Sequence, residues 1–185
     1  MNNVSLFSIM NACCTAPVEK IARNEHLPGG QCCLITERSE APSTANCPVS
    51  HTVSRKVQRR TLEHLLKPEK VGLIQDVQYY YCTEPTCEVV YFSNEKVKYF
   101  TTDDIAVKVF SKDQGADVNV CYCFDWTRGR IRQQIEETGK STAAMEIARE
   151  IKAGRCECDI KNPKGECCLG EVNQVVKESV TGRKI

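Results

Sequence analysis

Hydrophobic and polar positions predict two differently built halves in this chain. In residues 53–66, valines on one face of a predicted strand are followed by leucines at helical spacing, which indicates a strand leading into a short amphipathic helix. Residues 77–110 are rich in aromatic and β-branched side chains, a composition typical of two or three antiparallel strands. This part of the chain is therefore expected to form a small antiparallel β unit.

The last third of the chain has helical periodicity instead. A helix capped by Asp125 or Thr127 is predicted to end at Gly139, and a second helix is predicted over residues 141–154. Together they form a predicted helical hairpin. A third helix is expected to begin near Glu171, after a Pro-Gly turn.

Breaks in these patterns divide the chain into three regions. Residues 1–46 contain several prolines and glycines with weak periodicity between them, and we interpret them as a flexible leader. A polar break at residues 114–117 separates a β-rich subdomain over 47–113 from a helical subdomain over 118–180. The predicted fold class is α+β, with an antiparallel β subdomain followed by a helical one.

Composition and charge exclude some partners. With 185 residues, 41% of them hydrophobic, and a net charge of +1, the chain can bury a modest core but has no overall charge that attracts nucleic acid or anionic lipid. We interpret the basic run over residues 55–60 as a solvated face and expect no nucleic-acid partner. The sequence has neither a signal peptide nor an apolar segment of membrane-spanning length, which predicts a cytoplasmic protein.

Cysteine is the residue type that says most about function. The chain has thirteen, an odd number that cannot pair completely in disulfides within the chain, and clustered thiols in a reducing compartment are typical of metal sites. Antiparallel packing of the predicted hairpin, with the turn at residues 162–165, would gather six of them at one end: Cys121, Cys123, Cys156, Cys158, Cys167 and Cys168. Four thiolates can hold a zinc ion or an iron–sulfur cluster, and ligand number alone does not decide between them. Arg128 and Arg130 could add positive charge nearby, although we favour a solvated helix surface for both.

A second metal site is predicted in the β subdomain. Cys82 and Cys87 lie in the turn between the first two strands of segment 77–110, where both sulfurs can point to one side and supply half of a tetrahedral zinc site. The candidates for the other half are Cys47 with His51, and Cys32 or Cys33. We favour Cys47 more strongly than His51. His64 has no cysteine beside it and is interpreted as a packing or surface histidine.

The predicted leader contains four further cysteines, and the sequence has no catalytic motif. Cys13, Cys14, Cys32 and Cys33 form two vicinal pairs that could bind a soft ion such as Cu⁺, and incidental cysteines are an equally weighted interpretation. No nucleophile, base and orienting acid follow one another in a recognisable order. We therefore expect no classical enzyme, and any catalytic role, such as metal reduction, would depend on a cluster.

Several strings resemble a known family, notably CPVS, TLEHLLKPE, YYYCTEPTCEVVYF, VCYCFDWT and CDIKNPKGECCLGEV. They are similar to the N-terminal module of CopZ-type copper chaperones over about residues 47–175. The resemblance implies a small antiparallel β zinc-binding subdomain followed by a helical [2Fe-2S] subdomain that is similar to bacterioferritin-associated ferredoxin (BFD-like) domains. It implies cluster ligands Cys121, Cys123, Cys158 and Cys168, with Cys156 and Cys167 as alternates. It places Zn²⁺ on Cys47, Cys82 and Cys87, and Ser50 stands where some members have a further cysteine.

The sequence is compatible with three functions. The first is an iron–sulfur and zinc protein that handles copper or another soft metal, reduces Cu(II) to Cu(I) and passes it on. The second is a cluster-bearing electron-transfer partner without metal cargo, and the third is a structural zinc protein for protein or nucleic-acid contacts. The resemblance implies a copper-transporting ATPase or a redox partner. The C-terminal copper domain with an MxCxxC loop, which full-length chaperones add, is expected to be missing.

Overall fold

A five-stranded antiparallel sheet forms the first half of the chain in this computed structural model, which describes residues 41–95 and 98–182. The strands follow one another in sequence order across the sheet. They are β1 (Thr44–Asn46), β2 (Val53–Val57), β3 (Tyr79–Tyr81), β4 (Val89–Phe92) and β5 (Tyr99–Thr101). The predicted antiparallel strands of segment 77–110 are confirmed, and the sheet begins three residues before the predicted boundary at residue 47.

The connection between β2 and β3 carries two short helices, α1 (Arg59–Leu65) and α2 (Pro68–Val71). The predicted change from strand to amphipathic helix over residues 53–66 is confirmed. Leu62 and Leu65 of α1 are buried, while the basic residues Arg59 and Arg60 are exposed. α2 begins at Pro68, where the missing backbone N–H is tolerated because the first helical position has no intrahelical acceptor.

The sheet is covered on both faces, and for this reason β3 and β4 are buried along their whole length. Tyr79 and Tyr81 pack with α1 and Val90 in one core. Tyr80 points the other way, as alternation along a strand requires, and stacks on Phe92 with ring centroids 5.6 Å apart. That second core also contains Cys47, Cys82 and Cys87.

The second half is helical apart from one short hairpin. Its elements are β6 (Asn119–Cys121), β7 (Trp126–Thr127), α3 (Arg128–Thr138), α4 (Ala143–Lys152), α5 (Cys158–Lys161) and α6 (Leu169–Val180). Thr127 caps α3 by accepting a hydrogen bond from the Arg130 N–H, and Gly139 ends it with a left-handed φ of 76°. The predicted bounds of this helix are confirmed. α6 packs against both α3 and α4, and none of the helices in the described ranges has the length and apolarity needed to cross a bilayer.

The loop around α5 is held against the sheet half by buried polar contacts. The Tyr91 hydroxyl donates to the Pro163 carbonyl at 2.7 Å, and Thr61 Oγ1 donates to the Asp159 carbonyl at 2.6 Å. Gly165 has a φ of +69°, and a side chain there would lie 3.1 Å from Thr61 Oγ1. The β half therefore positions the loop that carries the last cysteines.

Tyr91→Phe tests this contact. Tyr91 is fully buried, so removing its hydroxyl leaves the Pro163 carbonyl without a donor and is expected to lower the free energy of unfolding by about 1–3 kcal/mol. Tyr80→Phe is the matched control, because the Tyr80 hydroxyl donates to the carbonyl of Pro42, an exposed residue that water can satisfy. Urea denaturation of both variants measures the difference. Equal losses would show that the buried contact has no special weight.

Candidate metal centres

Three buried cysteine sulfurs meet at one edge of the sheet. The Sγ atoms of Cys47, Cys82 and Cys87 all lie within 4.8 Å of one another, and those of Cys47 and Cys87 are 3.9 Å apart. Tetrahedral zinc with Zn–S bonds of about 2.3 Å requires sulfurs roughly 3.8 Å apart. The spacing of this group, which we call the three-sulfur site, therefore fits a zinc ion.

Short loops at the strand ends bring these sulfurs together. Cys47 directly follows β1, and its loop turns back through a hydrogen bond from the His51 N–H to the Cys47 carbonyl at 2.9 Å. Cys82 follows β3 and Cys87 precedes β4, with the Cys87 N–H bonded to the Glu84 carbonyl at 3.2 Å. Because β1 and β3 both flank β2 in an antiparallel sheet, their carboxyl ends lie at the same edge.

Polar groups around the three-sulfur site favour thiolates. Burial raises the pKa of Cys47, but hydrogen bonds from the Ser50 hydroxyl and the Ser50 and Val49 N–H groups outweigh it, so the pKa lies below the ordinary value. Burial raises the pKa of Cys87. The ammonium of Lys112 lies 3.5 Å from Cys82 Sγ. A thiolate is the form that binds metal, and the Ser50 and Val49 donors stabilise that form at Cys47.

The structure does not bring every predicted zinc ligand into this site. His51 is exposed, has a left-handed φ of 59° and is absent from the group of three. His64 is also exposed, with Nδ1 2.8 Å from the Arg60 carbonyl oxygen, in agreement with the surface interpretation. Cys32 and Cys33 lie outside the described residues, as do Cys13 and Cys14, so their soft-metal role stays a prediction.

A second group of five cysteines lies at the end of the helical half. Its members are Cys121, Cys123, Cys156, Cys158 and Cys168, which all belong to one core with α3, α4 and α6. Cys121 ends β6, Cys158 begins α5, and Cys168 is the residue before α6. The predicted meeting of the CxC pair with the later cysteines is thus found, although Cys167 is exposed and is not part of this core.

Interactions between the thiols separate two pairs from one surplus thiol. Cys123 and Cys158 have their Sγ atoms 3.7 Å apart, which matches two ligands on one tetrahedral ion. The Cys121 and Cys168 thiols interact with each other, and Cys168 also interacts with Cys158. Cys156 lies 3.1 Å from Cys158 and 4.0 Å from Cys123, and the shorter distance is too small for two sulfurs on the same tetrahedral ion.

The thiols of this five-sulfur group have strongly divergent pKa values. Hydrogen bonding to Cys168, together with N–H donors from Phe124 and Cys123, holds the pKa of Cys121 below its usual value. The hydrogen bond to Cys158, followed by burial, raises the pKa of Cys123 far above the ordinary range. Neighbouring thiols that compete for protons in this way are expected to bind a cation that replaces the protons.

The predicted surface positions of two arginines need one correction. Arg130 is exposed and lies over the Trp126 ring at 3.8 Å. Arg128 is instead only 1% exposed and lies 4.0 Å above the Phe110 ring. The solvated-surface interpretation of Arg128 was therefore wrong, because the segment preceding β6 folds over it.

Lys112 is the site residue that sequence reasoning missed. Its Nζ bonds both Cys82 Sγ and the Glu84 carbonyl, the latter at 2.5 Å. Lys112 is 25 residues beyond Cys87 in the chain, in a segment without periodicity. No pattern in the sequence marks it.

Comparisons with known proteins identify the zinc half. Residues 44–106 match a family model, zf_CopZ, described as a zinc binding domain. The chain is 34% identical over 101 residues to the copper chaperone CopZ of Archaeoglobus fulgidus, a match that covers 54% of this chain and 47% of that protein. The chain thus spans about half the length of the curated relative it matches.

A solved structure extends this similarity beyond the matched segment. The X-ray structure of the Archaeoglobus fulgidus CopZ N-terminal domain is similar with a TM-score of 0.60 at 26% identity, covering 71% of this chain and 97% of that domain. The three-sulfur site lies within the matched residues. Residues 44–106 form a CopZ-type zinc-binding domain homologous to part of that protein.

Proposed function

We propose that this chain is a zinc and iron–sulfur protein that handles copper or another soft metal. The observation that carries the proposal is the presence of two separate sulfur groups in one compact unit, one with three sulfurs and one with five. We assign zinc to Cys47, Cys82 and Cys87. We assign a [2Fe-2S] cluster, in a BFD-like subdomain, to Cys121, Cys123, Cys158 and Cys168.

The division of the five-sulfur group supports a two-iron site. The Cys123–Cys158 pair and the Cys121–Cys168 pair each come from one cysteine of the CxC segment and one from the later loop. Such a cluster needs four cysteine thiolates, two for each iron. The number and pairing of these four thiols therefore suit a [2Fe-2S] cluster, and Cys156 is not needed as a ligand.

The surrounding residues would tune the properties of a bound cluster. Backbone N–H groups of Cys123 and Phe124 donate to Cys121, and the Glu157 N–H donates to Cys123 Sγ at 3.4 Å. Hydrogen bonds to ligand sulfur stabilise negative charge and raise a reduction potential. Burial of Cys121 and Cys168 restricts water, while the exposed side of Cys123 gives a partner access.

The cargo and partner follow from chemistry and from the relative. A bound [2Fe-2S] cluster supplies one electron at a time, the number that reduces Cu(II) to Cu(I). Thiolates prefer Cu(I), and the curated relative is named a copper chaperone. We therefore propose copper as the substrate and a copper-transporting ATPase or a redox protein as the partner.

A structural zinc protein is the second candidate, and one observation favours it. Cys123, Cys156 and Cys158 have ligand atoms within 4.8 Å of one another, so this end of the molecule could hold a single ion instead of a cluster if Cys156 and Cys158, now 3.1 Å apart, separate on binding it. The chain would then carry two zinc ions and no redox centre. A cluster-bearing electron carrier without cargo differs from the main proposal only in copper chemistry.

Anaerobic purification with metal analysis tests the proposal. We expect about two iron and two sulfide per chain with visible charge-transfer absorption, together with zinc, and an EPR signal of spin one-half after reduction. Addition of Cu(II) to the reduced protein in the presence of a Cu(I)-specific chelator should produce about one Cu(I) per cluster and bleach the EPR signal. A colourless protein with zinc alone after attempted reconstitution would contradict it. A cluster that does not react with Cu(II) would favour the electron carrier without cargo.

A further inference from the structure

The hydroxyl of Ser50 lies beside all three sulfurs of the three-sulfur site. Its Oγ is 3.5 Å from Cys82 Sγ. The same hydroxyl is also close enough to interact with the thiols of Cys47 and Cys87. A single oxygen in contact with three sulfurs of a triangle is placed above or below that triangle, where the fourth ligand of a tetrahedral ion also belongs.

Other donors do not compete for this place among the described residues. Among residues 41–95 and 98–182, the three cysteines are the only His, Cys, Asp or Glu side chains whose ligand atoms come together here. His51, next in the chain, is exposed, and its backbone is held by the hydrogen bond to the Cys47 carbonyl. Lys112, which contacts Cys82, carries a protonated amine without a lone pair for a metal.

We propose that the Ser50 oxygen is the fourth donor of the zinc site, so that the ion is held by three sulfurs and one oxygen. The inference rests on the proposed binding of zinc to Cys47, Cys82 and Cys87. A neutral hydroxyl is a weaker zinc ligand than a thiolate. The fourth position is therefore the one at which an incoming thiolate can bind, and this zinc exchanges more easily than zinc bound by four cysteines.

Charge around the site is consistent with this ligand set. Zn²⁺ with three thiolates has a net charge of −1, and a fourth thiolate would make it −2. The ammonium of Lys112, 3.5 Å from Cys82 Sγ, is the cation that residues 41–95 and 98–182 place against these sulfurs; it balances the first arrangement and leaves the second with an excess negative charge in a buried place. Three sulfurs and a neutral oxygen therefore suit the number of cations present.

Zinc K-edge absorption of the full chain and its variants tests the proposal. Ser50→Cys should raise the number of sulfur neighbours of this zinc from three to four, measured as the difference between the two proteins so that any other zinc cancels. Release of zinc to a chelator should become slower in Ser50→Cys, by about tenfold or more, and faster in Ser50→Ala by a similar factor. His51→Ala is the matched control and should leave both the spectrum and the release rate unchanged.

The outcomes separate this inference from the function on which it rests. If the protein binds no zinc, the proposed function of the three-sulfur site fails. If zinc is bound, the Ser50 inference alone is overturned by four sulfurs in the wild type, by a nitrogen neighbour that disappears in His51→Ala, or by equal release rates in Ser50→Ala and the wild type. Ser50→Ala provides the test if Ser50→Cys does not fold.

Discussion

Replacing Cys158 by serine is expected to abolish retention of iron and sulfide, whereas replacing Cys156, two residues earlier, is expected to leave both in place. Cys158 Sγ lies 3.7 Å from Cys123 Sγ, and Cys158 also contacts Cys168. Cys158 therefore connects the Cys123–Cys158 pair with the Cys121–Cys168 pair of the five-sulfur group. Cys156 contacts Cys123 and Cys158 and is surplus to four ligands.

A second matched pair tests the same assignment at the next loop. Cys168 is buried and its thiol interacts with that of Cys121, whereas the adjacent Cys167 is exposed. Cys168→Ser should lose iron, sulfide and visible absorption, and Cys167→Ser should resemble the wild type. Metal and sulfide analysis of the four variants, with circular dichroism to show that each is folded, gives the comparison.

The result would contradict the assignment if Cys156→Ser lost the cluster while Cys158→Ser kept it. Retention in all four single variants would instead show that cysteines replace one another as ligands. Loss of zinc in place of iron from Cys123→Ser and Cys158→Ser would favour the single-ion site built on Cys123, Cys156 and Cys158. Each outcome names a different set of ligands.

Local patterns in the sequence predicted the elements that carry the sulfurs. Alternation and aromatic content identified the strands that flank Cys82 and Cys87, and a capping threonine with a terminal glycine identified α3. These features depend on residues within one turn or one strand of each other. The turn at residues 162–165, which returns Cys168 to the helical half, could be predicted because it too depends on neighbouring residues.

Features that depend on distant segments could not be predicted in this way. Cys156 and Cys158 are only two residues apart in the sequence. Which of the two is placed as a ligand depends on how this loop packs against the CxC segment. Lys112 reaches Cys82 across 30 positions of the chain. The sequence shows Ser50 as a departure from a cysteine pattern, but its position beside the three sulfurs results from the loop after β1 meeting the segment between β3 and β4.

Arg128 is the clearest example, because arginine is normally exposed and its helix was expected to present it to solvent. Its guanidinium donates to the Phe110 carbonyl at 2.7 Å and to the Asp113 carbonyl at 2.5 Å, and it covers the Phe110 ring. Burial lowers the pKa of Arg128. One side chain at the start of α3 thus holds the connecting segment that also supplies Lys112 to the three-sulfur site.

Arg128→Ala is expected to lower the free energy of unfolding by about 3–5 kcal/mol, because it leaves two carbonyls without donors and a void beneath Phe110. Arg130→Ala is the matched control on the same helix, where loss of an exposed contact with Trp126 should cost about 0.5–1 kcal/mol. Urea denaturation of equally metal-loaded proteins measures both. Because the connecting segment positions Lys112, zinc release should also be faster in Arg128→Ala than in Arg130→Ala. Equal stability and equal zinc release in the two variants would show that the buried arginine neither holds this segment nor supports the metal site.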